Sequence, residues 1–246
     1  EAVTEAAKVF GSSAGASRLV GGERPPHRQL ERALADFYGV EDCIAYVSGH
    51  ATNVSTLGFL FGHRDAIFYD GLAHNSLMQG ARLSGADRYS YEHNDCDALE
   101  KMLKEHRGKH KRACIVTEGL FSMDGNIPDL PRIIELKKKY DCMLLVDEAH
   151  GAHYLPFAAR YGWQGGAVAA GADLVVQSAH KTLPSLTQTA FLQLNGGLAD
   201  PDEVERQLDV FETSSPSYPL LVSLDGCTDW LAADGPAREL LRDKAL

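Results

Sequence analysis

Short runs of apolar residues recur along this chain, and between them lie longer segments in which apolar residues fall three and four positions apart. The first pattern marks strands, and the second marks one face of a helix. Strands are predicted at Cys43–Val47, Asp65–Tyr69, Asp87–Tyr91, Ala113–Thr117, Cys142–Val146, Leu174–Gln177 and Ala190–Leu194. Met143 to Val146 and Leu174 to Val176 show no polar alternation, as expected of strands covered on both faces. A helix is predicted at His27–Tyr38, with Leu30, Leu34 and Phe37 on one face and Gly39 as its stop. Asp97–His106 repeats the pattern through Leu99, Met102 and Leu103. Pro131–Tyr140 opens on proline, carries Ile133, Ile134 and Leu136, and ends in a lysine-rich turn. This alternation predicts an α/β fold: a mostly parallel seven-stranded sheet with helices on both faces.

With 246 residues, 44% of them hydrophobic, the chain can bury a large core. One large domain is expected over residues 1–235, followed at 236–246 by a helix that begins and stops, with no C-terminal small domain. A formal net charge of −10 predicts no nucleic-acid partner and no attachment to an anionic membrane. The basic cluster from Lys101 to Arg112 reads as a solvated face. Cys43, Cys96, Cys114, Cys142 and Cys227 are odd in number and form no CxxC pair, which fits reduced thiols and a cytoplasmic location. No apolar run approaches a membrane span and no secretory signal is visible. Asp147, Glu148, His150 and His153 lack the HExxH spacing, so no metal is expected.

The chemistry is carried by residues just beyond the predicted strands. Asp147 follows the run ending at Val146, and Lys181 follows the run ending at Val176. Open α/β sheets bind ligands at the carboxyl edge of their strands. An acid and a lysine meeting there suit pyridoxal 5'-phosphate: the acid pairs with the ring nitrogen and the lysine forms a Schiff base. A phosphate needs amide N–H groups at a helix start. Ser48-Gly49-His50-Ala51-Thr52-Asn53 makes such a turn, with Gly49 permitting close approach and the amides of Gly49 and His50 facing the anion. Ser178, three residues before Lys181, adds a hydroxyl. His74 is placed to lie flat on the ring, with a hydrogen-bonded loop histidine as the plainer alternative. Glu118 and Ser122 point to the same edge, and His150 reaches the phenolic oxygen of the cofactor.

Larger motifs carry a resemblance. Gly15-Ala16-Ser17-Arg18-Leu19-Val20, His27-Arg28-Gln29-Leu30-Glu31, Ser48 to Asn53, His74-Asn75-Ser76, His93-Asn94-Asp95, Thr117-Glu118-Gly119, Phe121 to Gly125 and Val146 to Gly151 cover residues 1 to about 153. This part resembles the α-oxoamine synthases, fold-type I pyridoxal-phosphate enzymes that condense an amino acid with an acyl thioester and lose CO2. Val176 to Gln188, with Ser178-Ala179-His180-Lys181, and Thr213-Ser214-Ser215-Pro216-Ser217-Tyr218 resemble instead the Orn/Lys/Arg decarboxylase major domain, over about 154 to 235. The chain thus reads as a composite joined between about His150 and Ala172.

The resemblance implies Lys181, His74, Asp147 and His150 as catalytic residues. It adds His180, Thr213 and Ser214 to the cofactor-binding set, with the segment around Thr213 reaching the phosphate of a neighbouring subunit and hence a homodimer. It implies an amino acid and an acyl-CoA or acyl-carrier thioester as substrates. A basic-amino-acid decarboxylase is the enzyme alternative, and a cofactor-binding scaffold without turnover is the third. Ser13, Arg24 and His50 depart from the synthase pattern, which usually has glycine, histidine and an aromatic residue there.

Overall fold

A computed structural model describes residues 8–11, 15–162, 164–199, 201, 202, 204 and 216–233. The described residues contain seven strands: β1 (Asp42–Tyr46), β2 (Ala66–Asp70), β3 (Asp87–Tyr91), β4 (Ala113–Glu118), β5 (Met143–Asp147), β6 (Leu174–Gln177) and β7 (Ala190–Leu194). They form one sheet in the order β1-β7-β6-β5-β4-β2-β3. Strand β7 runs antiparallel to both of its neighbours, and every other pair is parallel. The α/β, mostly parallel seven-stranded sheet expected from the pattern is the fold observed. The departures are single residues at strand ends: β1 begins and ends one residue earlier than predicted, β2 and β5 begin and end one residue later, and β4 ends one residue later. Asp70, Glu118 and Asp147 remain in the ladder, pairing Asp70 with Tyr91 and Glu118 with Asp147. An apolar run cannot signal a strand that ends on an acid.

The helices are α1 (Pro25–Tyr38), α2 (Gly49–Leu60), α3 (Asn75–Leu83), α4 (Cys96–His106), α5 (Leu130–Tyr140), α6 (Tyr154–Tyr161), α7 (Gly166–Ala170), α8 (Ala179–Thr182) and α9 (Tyr218–Ala232). Their ends follow local chemistry. Asp95 accepts hydrogen bonds from the amides of Asp97 and Ala98 to start α4, and Asp129 accepts from Arg132 to start α5. Gly39 stops α1 in the left-handed region at φ 68°.

Both faces of the sheet are covered. Leu57 and Leu60 of α2 and Leu77 and Ala81 of α3 pack on one face, against Ile67, Val116, Leu145 and Val176. Leu99 and Leu103 of α4 and Ile133 and Leu136 of α5 cover the other, against Phe68, Ile115, Leu144 and Val146. Neighbours in β5 therefore face opposite helical layers, which is why its sequence is continuously apolar. A third cluster joins Leu30 and Leu34 of α1 and Leu224 and Leu231 of α9 to Cys43 of β1 and Phe191 of β7. Each fully buried leucine contributes about 2 kcal/mol, so these layers fix the strand ends that carry the polar groups. The five cysteines are free thiols. Among the described residues no helix is long and apolar enough to cross a membrane.

Candidate active site

The carboxyl ends of β2, β4, β5 and β6 open with the start of α2 into a cavity of about 190 Å³. Its lining brings together Ser48, Gly49, His50, His74, Glu118, Ser122, Asp147, His150, Ser178, His180 and Lys181, all of them singled out in the sequence. Thr213 and Ser214 lie outside the described residues. Asn53, Leu120 and Ala149 complete the lining and were not singled out as site residues.

The anion end is built on α2. Ser48 caps the helix by accepting a hydrogen bond from the amide of Ala51 at 3.1 Å, leaving the first-turn N–H groups of Gly49 and His50 beside the cavity. A Cβ on Gly49 would come within 2.6 Å of Ser178 Oγ. Glycine therefore lets the turn before α2 touch the turn after β6, joining both sources of phosphate donors. Lys181 follows in α8, with Nζ 3.2 Å from His150 Nε2. Burial and the charge of Lys181 both pull the imidazole of His150 below its ordinary pKa, so it faces the amine uncharged.

Asp147, 6% exposed, ends β5 at the back of the cavity. One carboxylate oxygen accepts from Asn53 Nδ2 at 2.6 Å and the other from the amide of Ala149 at 3.0 Å. Burial pushes its pKa up, while those bonds and the charges of His74 and Lys181 oppose the rise. Its ladder partner Glu118 is pushed up to about 7, by burial first and then by the charge of Asp147. Glu118 also accepts a hydrogen bond from the His74 amide at 2.7 Å. His74 caps α3 with its ring, Nδ1 standing 2.7 Å from Ser76 Oγ, and its ring lies edge-on to His50 at 6.3 Å.

Two loops frame the opening. His93 bridges Asp70 and Asp124, at 2.9 and 3.2 Å, and so pins the turn that carries Ser122. His180 Nδ1 lies 2.9 Å from the Thr189 carbonyl oxygen, tying α8 to the start of β7. Asn53 had a readable signal. It lies one helical turn after Gly49, on the same face, and asparagine is a poor choice for a helix interior without a side-chain partner.

Residues 1–187 match the family described as aminotransferase class I and II, a match that includes Lys181. The chain belongs to that family. An 8-amino-7-oxononanoate synthase from Pelobacter propionicus is 39% identical over 239 residues, covering 97% of this chain and 60% of the relative. Another from Geobacter sulfurreducens is 42% identical over 182 residues, covering 74% of this chain and 46% of the relative. Among solved structures, a serine palmitoyltransferase from Sphingomonas wittichii superimposes with a TM-score of 0.80 at 29% identity, covering 94% of this chain and 57% of that one. The chain thus spans between 46% and 60% of these proteins.

Both enzymes are α-oxoamine synthases of the pyridoxal-phosphate fold-type I class, and the family cofactor is pyridoxal 5'-phosphate. The residues present fit it. A buried carboxylate, a primary amine and a helix start with adjacent hydroxyls share one cavity. These match the ring nitrogen, the aldehyde and the phosphate of the cofactor.

Proposed function

We propose that this chain forms the cofactor-binding part of an α-oxoamine synthase, joining an amino acid to an acyl-CoA or acyl-carrier thioester with loss of CO2. The convergence of Asp147, His74 and Lys181 on one cavity carries the reading. Bound pyridoxal phosphate supplies an electron sink for charge developing at the amino-acid Cα. Asp147, held by Asn53 and Ala149, keeps a negative charge against the ring nitrogen. Gly49, His50, Ser48 and Ser178 would hold the cofactor phosphate, and Ser122 and His150 would hold its phenolic oxygen. Lys181 would be the residue that attaches the cofactor and the base placed to move a proton at Cα, with His150 Nε2 3.2 Å from its amine as a proton acceptor. His74 would cover the ring and His180 would lie beside the attachment point, in a chain we read as one half of a homodimer.

A basic-amino-acid decarboxylase is the second reading, resting on the resemblance of the segment Val176 to Gln188 alone. One assay separates them. With alanine, glycine or serine and an acyl-CoA, a synthase releases free thiol and CO2 in equal amounts, and Lys181→Ala abolishes both. Release of CO2 from arginine or lysine without thioester consumption would overturn the synthase reading. Cofactor attachment that survives Lys181→Ala would overturn the site itself.

A further inference from the structure

We propose that Ser76 and Asn53 are positioning residues that fix His74 in one tautomer, its proton on Nε2. The imidazole then presents an N–H, and not a lone pair, at the nitrogen turned away from α3. This follows from the protein alone and does not rest on the synthase reading.

A backbone N–H can only donate. The amide of Ser76 is directed at His74 Nδ1, at 3.3 Å, where the ring caps α3. Nδ1 therefore carries its lone pair toward the helix. Ser76 Oγ stands 2.7 Å from the same nitrogen and itself accepts a hydrogen bond from Asn53 Nδ2 at 2.9 Å. A proton on Nδ1 would leave the Ser76 hydroxyl with two incoming N–H groups and no acceptor for its own hydrogen. Ser76 is 0% exposed, so water cannot take that hydrogen. The Ser76 hydroxyl thus donates to Nδ1, and two donors hold one lone pair.

The orientation of Asn53 is fixed from its far side. Its second N–H donates to Asp147 Oδ2 at 2.6 Å. A rotated amide would aim a carbonyl oxygen at a carboxylate. Asn53 Oδ1 is buried without a partner, so this direction is kept at a cost. The Glu118 carboxyl holds the His74 backbone N–H at 2.7 Å, which prevents the turn from relaxing. Asp147, Asn53, Ser76 and His74 form one chain in which each donated hydrogen has a single acceptor.

The test is nitrogen NMR on the full chain carrying 15N-histidine, without added cofactor, at about pH 8.5, above the ordinary imidazole range. His74 is assigned by the signals lost in His74→Gln. Nδ1 is expected at the unprotonated position and Nε2 at the protonated one. In Ser76→Ala both are expected to move partway toward the averaged positions of free histidine, since the residue-76 amide still donates to Nδ1; Ser76→Thr restores them, and Asn53→Ala gives a smaller displacement in the same sense. A wild-type His74 protonated on Nδ1, or averaged as in free histidine, overturns the proposal. So do unmoved signals in Ser76→Ala or Asn53→Ala. Failure of the synthase assay would leave these spectra unchanged, so the two readings fail separately.

Discussion

The two ends of the parallel strands treat buried acids in opposite ways. At the amino end, Asp65 before β2 pairs with Arg112 at 2.8 Å, and Asp173 before β6 pairs with Lys137 at 2.5 Å. Each also accepts a backbone amide, Asp65 from Gly62 and Asp173 from Leu144. At the carboxyl end, Glu118, Asp147 and Glu148 are as buried, yet among the described residues none of the three forms an ion pair with a cation; Asp70, held by His93 at 2.9 Å, is the exception. Glu148 is held by the amide of Ala167 and by Gln177 Nε2, both neutral donors, and burial pushes it up to about 7. Acids matched with cations serve the fold. Of the acids left with neutral donors, Glu118 and Asp147 line the cavity, where buried carboxyls mark a functional site.

The largest effect that would sharpen this contrast lies at Asp147. Asp147→Asn keeps the shape but removes the charge, and its amide nitrogen meets one of the two donors, Asn53 Nδ2 or the Ala149 amide, that the carboxylate accepted. Activity in the thiol-release assay is expected to fall by at least about 100-fold, while stability without cofactor falls by no more than about 3 kcal/mol. A variant with nearly full activity would mean that this acid is structural like those at the other end. Lys137→Ala is the mirror image. It leaves Asp173 buried and charged without a cation, which costs about 3–5 kcal/mol in chemical denaturation. Cofactor affinity of the folded fraction should not move. An undiminished denaturation midpoint would show that the amino-end pair contributes nothing.

Glu148 tests the sign of the pH dependence. Its folded pKa of about 7 lies above the ordinary 4.5, so its stabilising contribution is complete below pH 4.5 and is lost as pH rises toward 7. Glu148→Gln removes that loss. The variant should be more stable than the parent at about pH 8, by at most about 3 kcal/mol, and nearly equal to it at about pH 5. The new amide can keep the Ala167 bond through its oxygen, and Gln177 Oε1, now buried without a partner, can accept from its nitrogen. Equal stability differences at both pH values would place the proton elsewhere.

What the sequence disclosed follows the same division. Strands and helices were legible because apolar periodicity survives in one dimension, and the strand limits missed by single residues, three of them where an acid closed the ladder, at Asp70, Glu118 and Asp147. The pocket was legible because strand-end position singles out Asp147 and Lys181 without knowledge of strand order. Asn53 escaped because its role needs β5 and α2 side by side, a contact across 94 residues. Arg112 was misread for the same reason. As the end of a basic run it looked solvated, yet it donates to Asp65 and to the carbonyl oxygen of Leu60. Charge in a run says nothing of a partner distant in sequence.

The smallest expected effect completes the comparison at Asp65. Burial opposes its ionisation, but the hydrogen bonds from Arg112 and Gly62 win, and its pKa lies below the ordinary value. The sign is therefore opposite to that of Glu148: its contribution is present above pH 3.8, the ordinary aspartate value, and disappears as pH falls through the lowered pKa. Arg112 is partly exposed, so screening keeps the pair weak. Asp65→Asn should cost about 1 kcal/mol at neutral pH, and the cost should shrink as the solution is acidified below the carboxylate range. Denaturation of Asp65→Asn and Glu148→Gln across one pH series would then give curves of opposite slope relative to the parent. Parallel slopes would show that the two ends of the sheet do not differ in how they hold charge.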